Sequence, residues 1–155
     1  MFTVPEKIIY ALPEQIGNTE LFVGRKKEFD YFLGDWYDYL VNNMAQSQAI
    51  VARRKKGKTA FLQRLFNILW SCPETGVIPF YYVIQDKPVT LSGFAEDFFT
   101  QFMWQYLSFR DRKEEYLSYP IGFEKLAPLV EGDKHLTDAY ETMAIKKKED
   151  DWDGM

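Results

Sequence analysis

The chain has 155 residues, a formal net charge of −4, 46% hydrophobic and 17% aromatic residues, which excludes a disordered or collagen-like chain and leaves length for about one domain with a real core. One cysteine, Cys72, and one histidine, His135, exclude an internal disulfide and a Cys/His zinc set, and any Ser-His-Asp triad would rest on His135 alone. Mild acidity gives no general attraction to nucleic acid or anionic lipid, so such contacts would need a local basic patch.

Residues 1–21 carry Pro5, Pro13 and Gly17-Asn18 between short apolar stretches and read as an irregular lead-in. Glu6 and Lys7 interrupt the start before an apolar run forms, and no stretch approaches the roughly 18 apolar residues of a membrane span. With a lone cysteine, the expectation is a cytoplasmic chain that does not enter a membrane.

From Glu28, residues Phe29, Phe32, Leu33, Trp36, Tyr37, Leu40, Val41 and Met44 follow i, i+3, i+4 spacing. That pattern predicts one amphipathic helix ending at Asn42-Asn43, with Gly34 off the apolar face at modest cost. Gln48 to Ala52 is a short apolar run that fits a buried strand or a scrap of helix equally by periodicity. The next residues decide between the two: a basic loop, then Phe61, Leu62, Leu65, Phe66 and Leu69 in a helical stripe ending near Ser71-Cys72-Pro73. Strand, tight loop, helix is the order of a phosphate-binding P-loop. Val77 to Ile84, β-branched and aromatic, predicts a second strand covered on both faces. Thr90 or Ser92 can cap a further helix carrying Phe94, Phe98, Phe99, Phe102, Tyr106 and Leu107. The alternation predicts an α/β fold, a parallel sheet flanked by helices. Past Arg110 the signal weakens: Tyr119-Pro120 reads as a break, and Phe123–Val130 and Leu136–Ile145 as short helices. The predicted segments are therefore 1–21 lead-in, 22–110 core and 111–155 helical and charged.

The loop reads Ala52-Arg53-Arg54-Lys55-Lys56-Gly57-Lys58-Thr59, against the pattern G-x-x-x-x-G-K-[ST]. In that pattern backbone N–H groups and the helix N-terminus surround the phosphates, the Lys reaches the β- and γ-phosphates, and the hydroxyl holds magnesium. Those roles fall to Gly57, Lys58 and Thr59, with Thr59 as the metal ligand and Lys58 as the catalytic cation. Ala52 stands where the first Gly belongs and adds one methyl at the strand exit. A surface loop rich in Lys and Arg would share the composition, though not the flanking pattern.

Phe22-Val23-Gly24-Arg25 followed by Glu28 and a helix resembles the F-x-G-R-x-x-E opening of AAA+-related ATPases. The P-loop is similar to the G-x-R-R-x-G-K-T of archaeal-type and STAND ATPases, with Ala52 for Gly and Lys55 for the second Arg. The resemblance covers roughly residues 20 to 110. It implies a P-loop NTPase fold, ATP with Mg2+ as the ligand, and Val23, Gly24 and Arg25 beside the adenine.

Hydrolysis needs an acid at the end of an apolar strand, and none follows residue 110. The single candidate is Asp86, which reads either as a magnesium-positioning acid or as a turn former before Lys87-Pro88. ATP hydrolysis is expected only if this chain or another supplies the acids; the alternative is a nucleotide-regulated assembly module that binds without hydrolysing. The family's acidic strand comes later, so the resemblance implies the front part of a longer ATPase with an apparently incomplete sheet. An incomplete sheet would favour a homo-oligomer or a partner protein completing the fold. Arg53, Arg54, Lys55, Lys56 and Lys58 form a basic cluster, but net acidity and the lack of interleaved aromatics argue against nucleic acid. Lys146–Lys148 reads as a solvated helix end, and Cys72 as a packing residue.

Overall fold

Apolar spacing from Phe29 to Val41 does produce helix, but as two helices. The computed structural model describes residues 2–16, 22–44, 47–84, 90–118 and 122–153, with side chains of the last helix through Lys148. Helix α1 spans Lys26–Leu33 and α2 spans Asp35–Val41, broken at Gly34. A Cβ on Gly34 would lie 2.5 Å from the Asp30 carbonyl oxygen. The residue expected to sit passively on the far side of one helix is therefore where the chain bends, because only glycine fits there.

Two units divide the chain, 1–81 and 82–155. In the first, Leu33 and Tyr37 pack with Phe61, Leu65, Ile68 and Leu69 of α3 (Lys58–Trp70). Phe61 is fully buried, its ring 4.7 Å from that of Phe29 and 5.7 Å from that of Phe32. Each such buried side chain contributes about 1.5–3 kcal/mol of hydrophobic stabilisation.

The lead-in has neither helix nor strand over 2–16, so its backbone groups need other partners. Helix α3 supplies them from Gln63, Asn67 and Ser71, one stripe at four-residue spacing. Ile9 N–H donates to Ser71 Oγ, Leu12 N–H to Asn67 Oδ1 and Gln15 N–H to Gln63 Oε1, each at 2.8 Å. Asn67 Nδ2 donates back to the Leu12 carbonyl at 2.9 Å. Arg64 grips Glu14 with a two-pronged contact of 2.7 and 2.9 Å.

The expected α/β fold is overturned. Among the described residues there are seven α-helices, two short 3-10 turns and no strand. Residues 48–52 and 77–84, predicted as strands of a parallel sheet, carry no regular secondary structure. Val51 is 92% exposed and Ile84 78%, whereas a sheet flanked by helices covers both faces of its strands. A β-branched, aromatic run fits a pleated, covered surface but does not create one; its N–H and C=O groups need a neighbouring strand.

In the second unit, α4 (Leu91–Asp111) begins at Thr90, whose Oγ1 accepts the Gly93 N–H at 3.1 Å. It ends where Arg112 turns left-handed, and buried Ser108 donates to the Lys113 carbonyl at 2.8 Å. Helix α5 (Glu115–Ser118) follows, and the Tyr119-Pro120 break lies outside the described residues. A 3-10 turn at Phe123–Leu126 leads into α6 (Ala127–Val130). Asp133 then caps α7 (Lys134–Asp153), its Oδ1 accepting the His135 and Leu136 N–H groups at 3.1 and 3.2 Å. Met103, Trp104 and Leu107 pack with Phe123, Leu126 and Val130.

Lys147 departs from the solvated reading of Lys146–Lys148. Its Nζ donates to Glu96 at 2.8 Å and Glu124 at 2.9 Å, and lies 5.4 Å from the Phe123 ring centre. The hydrogen bond from Lys147 holds the Glu124 carboxyl below its usual range, and the bonds to Glu96 and Glu124 raise the ammonium's pKa.

Candidate functional site

The basic loop lies in the first unit and runs directly into α3. Two of its residues are left-handed, Lys55 (φ 64°) and Gly57 (φ 72°, ψ 21°). Gly57 takes that conformation freely, whereas Lys55 pays a steric cost of order 1 kcal/mol, as strained loop residues at sites often do. Gly57 is the residue before the helix and offers no side-chain cap. The first-turn N–H groups of α3 therefore lack an intrahelical partner and lie at the positive end of its dipole.

Lys58, half-buried, folds back across the loop, its Nζ donating to the Ala52 carbonyl at 2.5 Å. Arg53, Arg54, Lys55 and Lys56 are exposed on the same short turn. Five cations within residues 53–58 raise the local potential despite the net acidity of the chain. Such a set suits a compact polyanion: backbone donors, a helix N-terminus and a lysine that can leave a carbonyl for a phosphate oxygen.

Arg25 also reaches this loop. Its Nη1 donates to Glu28 Oε1 at 3.0 Å and its Nη2 to the Lys56 carbonyl. Its Nε is the nearest atom, at 3.9 Å, to where a Cβ on Gly57 would stand. Val23, by contrast, is 87% exposed, and nothing lies within 4 Å of a Cβ built on Gly24. The structure thus brings Arg25 to the Ala52–Thr59 loop, while Val23 stands exposed and Gly24 has open space on its Cβ side. The tie from Arg25 and Glu28 to Lys56 went unread in the sequence because a carbonyl 31 residues away leaves no pattern; only the three-residue spacing of opposite charges hinted at half of it.

Thr59 is exposed on the first turn of α3. In the P-loop pattern this position carries the hydroxyl that meets magnesium, beside an acidic residue. Asp86 lies outside the described residues, among which no group of three or more His, Cys, Asp or Glu side chains could hold a metal. No helix among them is long and apolar enough to cross a membrane.

Compared with family models, curated proteins and solved structures, the chain gives no match in any of the three.

Proposed function

We propose that residues 52–59 bind the phosphate groups of a nucleotide, with Lys58 as the principal cation, Thr59 holding magnesium and the Arg53–Gly57 backbone supplying N–H donors. The observation that carries this reading is the left-handed Lys55 and Gly57 turn opening α3, with the Lys58 ammonium turned back over it. ATP is the nucleotide of this reading because Phe22–Arg25, Glu28 and Ala52–Thr59 resemble motifs of AAA+/STAND ATPases. The proposal concerns the loop and its ligand, not the sheet such ATPases carry.

Calorimetric titration of the chain with Mg-ATP, beside Lys58→Ala, tests it. Binding by the wild type and about a hundredfold weaker binding by the variant is the expected result; equal behaviour of the two sinks it.

A second reading is a module that binds nucleotide without hydrolysis and whose assembly with a second copy or a partner protein depends on it. Exposed apolar side chains favour it, Val51 in the first unit and Ile84 and Leu91 in the second. Oligomer size unchanged by Mg-ATP, measured by light scattering, would remove it. A cytoplasmic setting belongs to this reading through the single cysteine of the chain, Cys72, which leaves no internal disulfide.

A further inference from the structure

We infer that Arg25 is a positioning residue of the phosphate loop: its guanidinium fixes the peptide between Lys56 and Gly57, and a lysine in its place would not. The inference rests on the phosphate-binding reading above and assigns Arg25 to the phosphate end of the ligand, not to the base.

Gly24 and Arg25 are left-handed in succession, with φ 88° and 54°. A non-glycine residue is rarely held there, and when it is, the surroundings impose it. The turn opens α1, where the Arg25 carbonyl accepts the Phe29 N–H at 3.0 Å, and sends the side chain to the loop. There the guanidinium meets two acceptors at once, Glu28 Oε1 and the Lys56 carbonyl. It also lies 5.8 Å from the centre of the buried Phe61 ring, which limits its movement.

The Lys56 carbonyl and the Gly57 N–H belong to one planar trans peptide and point in opposite directions. Holding the carbonyl therefore fixes where the Gly57 N–H is aimed, and that N–H is one of the donors a phosphate oxygen needs. Glu28 offsets the charge of Arg25, so the contribution is one of geometry. A planar fork with five donors reaches both acceptors, whereas an ammonium acts as a single point charge.

The test compares wild type, Arg25→Ala and Arg25→Lys in two ways. The first is backbone ¹⁵N relaxation of residues 54–57 without ligand, which reads how firmly each N–H vector is held. The second is titration with Mg-ATP and with inorganic tripolyphosphate. Both variants are expected to lower the order parameters of the loop amides and to bind both ligands about tenfold more weakly, the scale of one lost charge-assisted hydrogen bond. Equal losses for the two ligands place the effect at the phosphates. A loss for ATP with tripolyphosphate unaffected overturns the inference in favour of a base contact, and full recovery in Arg25→Lys overturns it in favour of simple charge. If the wild type binds neither ligand, the phosphate reading fails by itself and the relaxation arm still decides: lower loop order parameters in the variants support the tie, unchanged ones overturn it. Should Arg25→Ala not fold, Arg25→Lys carries the same comparison.

Discussion

The two units hold their backbones in different ways. In the described residues of 82–153, two long helices meet through a contiguous apolar core, and Thr90, Ser108 and Asp133 cap helix ends. Among the described residues of 1–81, much of the backbone is in neither helix nor strand, and side chains from elsewhere hold parts of it. Gln63, Asn67 and Ser71 hold the lead-in, Arg25 holds Lys56 and Lys58 holds Ala52. Backbone already spent on a helical ladder has no donors left for a ligand. Backbone pinned by side chains keeps some, which is why the candidate site belongs to the less regular unit.

The largest expected effect tests whether the first unit still depends on an apolar centre. Phe61→Ala should cost about 3–5 kcal/mol, read as faster hydrogen exchange in α3. Leu107, equally buried in the second unit, should cost about 2–5 kcal/mol when replaced by Ala, read in α4. A much smaller loss for Phe61 would mean that side-chain ties, not packing, hold the first unit.

Next, Lys58→Ala should weaken Mg-ATP binding about a hundredfold, or ~2.7 kcal/mol, with helix content by circular dichroism unchanged. Loss of helix along with binding would make Lys58 a structural residue and blur the contrast.

Asn67→Ala should cost about 1–3 kcal/mol, since it strips partners from both the N–H and the carbonyl of Leu12. The amide of Leu12 should then exchange faster, while those inside α3 change little. An unchanged Leu12 amide would show that the lead-in is held some other way.

The smallest effect is a pH dependence confined to the second unit. The Glu124 carboxyl is depressed below 4.5 by Lys147, so its contribution is present above about pH 4.5 and is lost as pH falls through the folded value. Lys147 is raised above 10.5; its contribution is full below that pH and lost as pH rises through the folded value. Lys147→Met should flatten both limbs of a plot of melting temperature against pH, and unchanged limbs would mean the pairs carry no net stability.

The sequence by itself determined the helices whose apolar residues recur at three and four, found at Lys58–Trp70 and Leu91–Asp111, with Thr90 or Ser92 as the cap of the second, of which the structure uses Thr90. Local spacing and capping suffice there, since a helix closes its hydrogen bonds within its own segment. The Gly57-Lys58-Thr59 order at a helix start was legible for the same reason. Strands were not, because Val77–Ile84 has the composition of one while pairing depends on residues elsewhere in the chain. Tertiary structure alone decided that the helix from Lys26 breaks at Gly34, that Asn67 and Arg64 hold the lead-in, and that Arg25 belongs with Lys56. Each of these is a contact between residues far apart in the chain or a bend made for packing, and neither leaves a periodic trace in the order of residues.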